Sequence, residues 1–308
     1  MRHAPPHALD TLQAVSQFVA IGLLGLIYGL RAMRIAVERR PAPLWRMLAF
    51  YAGLGTLVAA LITLERHAPV SLSWNTLQLF LIGEVATLLM VLGLTAALVA
   101  PLLRWRALEP LRALTHPLVA FPLWALNLYL WHLPALAESA LHSEVVLVVQ
   151  HLCFLVLGIN MWMCLLGPLP VPRWFGDSGK LAYVVVVRAT GIVLANILLW
   201  SDTVFYPYYV HPNLVRNVSP LADQNMAGAI MLVGGSVLTV GLFAWLFVRS
   251  LRVVGEPDDL VGIAEANGWA RTDERGGGRG FAAGRRSEPL KTFQPSPETF
   301  AAQQQPPS

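Results

Sequence analysis

Seven stretches of the chain are almost continuously apolar, at roughly 15–33, 46–64, 77–103, 117–136, 145–168, 181–200 and 227–249. Each is about long enough for a ~20-residue helix across a hydrocarbon layer of ~30 Å. None shows the residue-by-residue alternation of a membrane β-strand, and only helices or closed barrels satisfy their own backbone groups in lipid. The pattern predicts an all-α, polytopic bundle of seven transmembrane helices within residues 1–254. Beyond Val254 the text changes to Gly276-Gly277-Gly278, scattered charges and a Gln-Pro-Ser terminus. That composition offers too little apolar surface to fold, so 255–308 reads as a mostly disordered cytoplasmic tail.

Composition agrees: 56% of residues are hydrophobic, 13% are charged, and the mean hydropathy of +0.56 exceeds what a soluble domain of this length needs. Charge then orients the bundle, because Lys and Arg are retained on the cytoplasmic side. Arg31, Arg34, Arg39, Arg40, Arg46, Arg104, Arg106, Arg112, Arg173, Lys180, Arg249 and Arg252 flank one set of span ends, while only Arg2, Arg66 and Arg216 flank the other. The N-terminus is expected outside and the C-terminus inside. Arginines follow the first span where a cleavage site would show small residues, so that span reads as a retained helix. The pI near 9.3 reflects this topology and requires no nucleic-acid partner. Tryptophans such as Trp45, Trp74, Trp131, Trp174, Trp200 and Trp245 fall near the span ends, at headgroup depth.

An ionisable side chain at membrane depth needs a partner, a wet cavity or a function. Glu84 is expected about 10 Å below the outer boundary, as a protonated acid hydrogen-bonded between helices. His132 and His151 fall in the same half, and the last outer loop adds Asp202, His211, Asp223 and Gln224 before Met226 and Met231. Imidazole, carboxylate and thioether together would suit a soft metal such as cuprous copper. A lone membrane histidine is more often hydrogen-bonded to a neighbouring helix, and a helix methionine more often packs. Asp223 stands where a carboxylate favours the positive end of the helix beginning at Pro220, and capping is weighed above ligation there. Arg188 either reaches Glu84 or snorkels to the cytoplasmic headgroups. Cys153 and Cys164 lie about 16 Å apart along one helix, so they read as packing residues that cannot pair with each other. No phosphate-binding loop, HExxH motif, nucleophile elbow or Cys-x-x-Cys pair is present, which leaves catalysis without support.

Taken in order, Tyr129-Leu130-Trp131-His132-Leu133-Pro134-Ala135-Leu136, Gln150-His151-Leu152-Cys153-Phe154-Leu155, Tyr206-Pro207-Tyr208 and Ser219-Pro220-Leu221-Ala222-Asp223-Gln224 resemble the CtaG-type cytochrome c oxidase assembly factors. Ser219 to Gly235 carries the most specific part of the resemblance, and Thr115-His116-Pro117 fits more loosely. The resemblance implies a multi-pass protein of the bacterial cell membrane that acts as a chaperone for cytochrome c oxidase subunits. It implies no enzymatic turnover, and a role in copper supply or insertion on the outer side. By position it implies His132, His151, Asp223 and Met231 as the metal set, with Gln224 matched beside them; Glu84 and Arg188 are further functional residues by their charge at membrane depth, and Arg188 falls where relatives tend to be uncharged. Asn75, Leu79 and Leu147 stand where the family has histidines, which thins that set. Two other classes remain open from the residues themselves: a redox protein with haem on His132 and His151, and a small-solute transporter using Glu84 and Arg188.

Overall fold

The computed structural model describes residues 6–37, 43–64, 67–99, 114–168, 172 and 174–254, with side chains between 16 and 245. Helix α1, Pro6–Val37, is followed by α2, Leu44–Ala59, which runs directly into a π-helical segment, Ala60–Leu64. The next rod has three parts: α3, Leu72–Phe80, a π-helical segment, Leu81–Ala86, and α4, Thr87–Gly93. Then come α5, Pro117–Trp131, α6, Pro134–His142, α7, Glu144–Leu166, and α8, Asp177–Trp200. A short α9, Val210–Val215, precedes α10, Pro220–Val254. The described residues contain no strand. Met1–Arg249 forms one unit and Ser250–Ser308 another; the tail expected over 255–308 lies outside the described residues.

Among the described residues, six helices are long and apolar enough to cross a membrane, and the bent pair α5 and α6 makes a seventh candidate. This chain is a membrane protein. The fourth span, expected as one helix over 117–136, is instead broken, with α6 turned 71° from α5. Its cause is local. Pro134 forces the preceding residue into extended backbone, and Leu133 sits at φ −67°, ψ 129°. His132 takes up the break at φ −95°, ψ 0°. Hydropathy runs on unbroken through Leu133-Pro134-Ala135-Leu136, which is why the apolar pattern extends past the bend.

At the opposite end of the bundle, α4 stops where Leu94 becomes extended. The Arg46 guanidinium from α2 donates to the Leu94 carbonyl at 2.7 Å and to that of Leu92 at 3.3 Å. A cation on the last carbonyls of a helix offsets both unmade bonds and the negative end of the dipole. Tyr28 on α1 donates to the Gly93 carbonyl at 3.0 Å and stacks on Phe50 of α2 with ring centroids 3.7 Å apart.

The core lies where α7 packs on α5 and on the π segment Leu81–Ala86. A Cβ at Gly158 would stand only 2.2 Å from the Gly83 carbonyl, so backbone meets backbone there. Cys164 is buried in this core and Cys153 is half-buried; both are free thiols. Val233, Val237 and Val240 on α10 and Val185, Val186, Val193 and Ile197 on α8 are exposed, forming apolar faces suited to lipid.

Candidate functional site

A cavity runs inside the bundle between the α3 rod, α5, α7, α8 and α10. It offers about 90 Å³ to the centres of water-sized molecules, and about 840 Å³ of atom-free space including its open side. Along α10 its lining extends from Met231 to Leu242, about 16 Å at 1.5 Å per residue. Glu84, His132 and Arg188, three of the residues singled out by sequence, face this one space with Met231.

Glu84 is carried by the π segment, where the Thr87 hydroxyl donates back to the carbonyls of Gly83 at 2.5 Å and Glu84 at 3.2 Å. Such back-bonding competes with the helical ladder, and π turns recur where a side chain must be re-aimed. The Trp124 indole N–H of α5 donates to Glu84 Oε1 at 3.2 Å, joining two helices as expected for an interhelical carboxyl group. Arg188 shares the cavity with Glu84 and turns to α10. No ion pair joins it to Glu84; its guanidinium lies across α10, donating to the carbonyls of Met231 and Leu232 and to Ser236 Oγ. Gly235 makes this possible, because a Cβ there would fall on the guanidinium.

His132 sits in the helix break. Its Nδ1 lies 2.7 Å from the Leu128 carbonyl, which can only accept, so Nδ1 carries the proton and Nε2 keeps its lone pair. The His132 carbonyl, freed where α5 ends, accepts the Tyr206 hydroxyl at 2.7 Å. Burial pushes the phenols of Tyr206 and Tyr209 upward, so both remain donors. Tyr209 donates to the Ala68 carbonyl at 3.1 Å.

Asp223 does something other than cap its own helix. Its carboxylate crosses to the start of α3, where Oδ2 accepts the Leu72 N–H at 2.7 Å and Oδ1 accepts the Ser73 N–H at 3.2 Å. The hydroxyls of Ser71 and Ser73 add bonds to Oδ1 of 2.7 and 2.6 Å, and the Asn213 amide of α9 donates to Oδ2 at 3.0 Å. A residue of α10 thus caps α3, some 150 positions earlier in the chain. Gln224 clamps the adjoining loop: its Oε1 accepts the Phe205 N–H at 2.8 Å and its amide donates to the Thr203 carbonyl at 2.9 Å.

His151 does not line the cavity. It is buried beside Gln150 on α7, and neither the His151 Nε2 nor the Gln150 amide has a protein partner. Gln78 donates to the Ala60 carbonyl at 3.2 Å, while Asn75 and Leu79 are buried in α3. Among the described residues, no three of His, Cys, Asp and Glu come together as a metal site. Trp162 and Tyr183, not singled out by sequence, also line the cavity. Trp162 stands one turn before the end of α7 and Tyr183 near the start of the apolar run at 181–200, so both read as ordinary aromatic residues of a span end.

Residues 26–253 match the family described as cytochrome c oxidase caa3 assembly factor, Caa3_CtaG. The chain belongs to this family. No curated protein sequence and no solved structure matches the chain. The Caa3_CtaG match takes in every helix that builds the cavity, together with the Asp223 cap and the His132 break. Within this family, then, the chain places a carboxyl group, an imidazole and a guanidinium in one intramembrane space.

Proposed function

We propose that this protein serves cytochrome c oxidase assembly by passing copper, as cargo, to oxidase subunits on the outer side of the bacterial cell membrane. It acts by binding and release, without turnover. Family membership carries the oxidase assignment. The lone pair of His132 Nε2 and the thioether of Met231, on the walls of one cavity, support the copper part. Such a pair suits the soft cuprous ion, whose ligands are imidazole and sulfur. Asp223 does not fit as a ligand, since five donors already occupy its two oxygens. In this reading it holds α3 in register, and Gln224 holds the loop that supplies Tyr206 to the His132 carbonyl.

The basic residues concentrated away from the His132 end favour the N-terminus outside and the C-terminus inside, which sets the cavity's His132 end toward the outer face. Deleting the gene should lower oxidase-specific haem absorption and membrane copper together; unchanged values for both would sink the oxidase reading. For the purified protein loaded with cuprous ion, His132→Ala and Met231→Leu should each reduce bound copper, while His151→Ala should leave it unaltered. Equal copper in all four proteins would remove copper from the proposal and leave the family assignment standing.

A further inference from the structure

We infer that the lipid-facing side of α10, beside Arg188, docks a transmembrane helix of another protein that carries a carboxylate near its midpoint. Copper plays no part in this contact.

Arg188 is the twelfth of the 24 residues of α8, so it lies about 16–18 Å from either end at 1.5 Å per residue. No arginine side chain spans that distance to the headgroups, and neither a lipid phosphate nor an anion in water comes within its reach. The guanidinium crosses α10 instead. One Nη donates to the Met231 carbonyl at 3.4 Å, and the other donates to the Leu232 carbonyl and, at 2.8 Å, to the Ser236 hydroxyl. Ser236 is exposed and takes no part in lining the cavity, so a charge that borders the cavity on one side reaches the lipid side of the bundle on the other. All three acceptors are neutral. Glu84 stands on the cavity side with its Oε1 held by Trp124, and it makes no ion pair with Arg188.

A cation among neutral dipoles in hydrocarbon is costly, so an anionic side chain arriving through lipid gains more from it than a neutral one does. A carboxylate there takes the place of the Ser236 hydroxyl as acceptor and brings the missing charge. The surface around Ser236 suits a helix. Val233, Val237 and Val240, which are 61%, 66% and 68% exposed, recur every three or four residues with Ser236 among them, a stripe about two turns long. A second copy of this chain fits poorly, because a two-fold pair about the membrane normal brings both Arg188 side chains to one depth with like charges facing. Among the described residues, Glu84 is the one acidic side chain deep within a span, and it is committed to the cavity.

The full chain is reconstituted in phosphatidylcholine vesicles with a dansyl-labelled leucine–alanine helix of about 20 residues that carries Glu, Gln, Leu or Lys at its midpoint. Association is followed by energy transfer from the protein's tryptophans. The Glu helix should bind about tenfold more tightly than the Leu helix, the effect of one charged interhelical hydrogen bond, with Gln between them and Lys no tighter than Leu. Arg188→Met should remove the difference between Glu and Leu. Val237→Phe, which leaves Arg188 in place, should weaken binding of the Glu helix, while Leu152→Phe on the exposed side of α7 should not. Equal binding of the Glu and Leu helices, Gln binding as tightly as Glu, a Glu preference that survives Arg188→Met, or pairing of the chain with itself that Val237→Phe abolishes, overturns the inference.

Discussion

Removing the carboxylate of Asp223 should loosen one end of the bundle out of proportion to the size of the change. In Asp223→Ala the N–H groups of Leu72 and Ser73, two hydroxyls and the Asn213 amide lose their acceptor together. A buried donor left unmatched costs about 1–3 kcal/mol. The serine hydroxyls can turn toward other acceptors, so the backbone groups and Asn213 dominate, and their costs do not add fully. A loss of about 3–5 kcal/mol is expected, in line with breaking a buried charged contact from one side. Asp223→Asn should be milder, about 1.5–3 kcal/mol. With its amide NH2 toward the two hydroxyls and its oxygen toward Leu72 and Asn213, only the Ser73 N–H is abandoned. Equilibrium unfolding in mixed micelles gives the free energies, and hydrogen exchange locates them. Exchange should accelerate at Leu72 and Ser73 well before the amides of α7. An alanine variant as stable as the wild type, with unchanged exchange at those two residues, would refute the cross-helix cap.

Two further outcomes follow from the same coordinates. Gly158→Ala places a methyl group against the Gly83 carbonyl and should destabilise by about 1–3 kcal/mol. Gly191→Ala, facing open space, should be close to neutral in the same unfolding assay, and equal effects would contradict the close approach of α7 to the π segment. Arg188→Met removes a cation that rests on carbonyls already within the helical ladder of α10. It should change stability by less than about 1 kcal/mol, because an apolar side chain replaces a charge without orphaning a donor. A loss of about 3–5 kcal/mol, relieved by adding Glu84→Gln, would mean that Arg188 is instead the partner of Glu84.

The apolar runs made an all-helical membrane bundle legible, since membrane hydropathy is a local property; of the seven expected spans, six are single long helices or rods among the described residues and the other is the bent pair α5 and α6. Direction was harder to read. The turn at His132 depends on the steric restraint that Pro134 places on Leu133, while every side chain from Leu133 to Leu136 is apolar or proline. The polar residues were correctly singled out as unusual, and Glu84, His132, Arg188 and Met231 do share one space. Their partners were not readable, because a carboxylate that serves backbone N–H groups 150 residues away leaves no trace in its own neighbourhood. The same holds for Arg188, whose acceptors are main-chain carbonyls available on any helix. His151 illustrates the opposite failure: it looks equivalent to His132 in the sequence, yet rotation about α7 directs it away from the cavity.

The π segment Leu81–Ala86 stores one residue more than an α-helix would need over the same rise. The π turn absorbs that surplus locally, so α3 and α4 keep nearly the phase of one continuous helix on either side of it. Removing a single residue, such as Leu81, would let the ladder close as ordinary α-helix with α3 still seated under Asp223 and α4 still facing α2, while the turn that carries Glu84 is re-aimed. A one-residue gap in this segment of any relative would therefore mark a change in where the Glu84 position points, with the packing of both flanks kept.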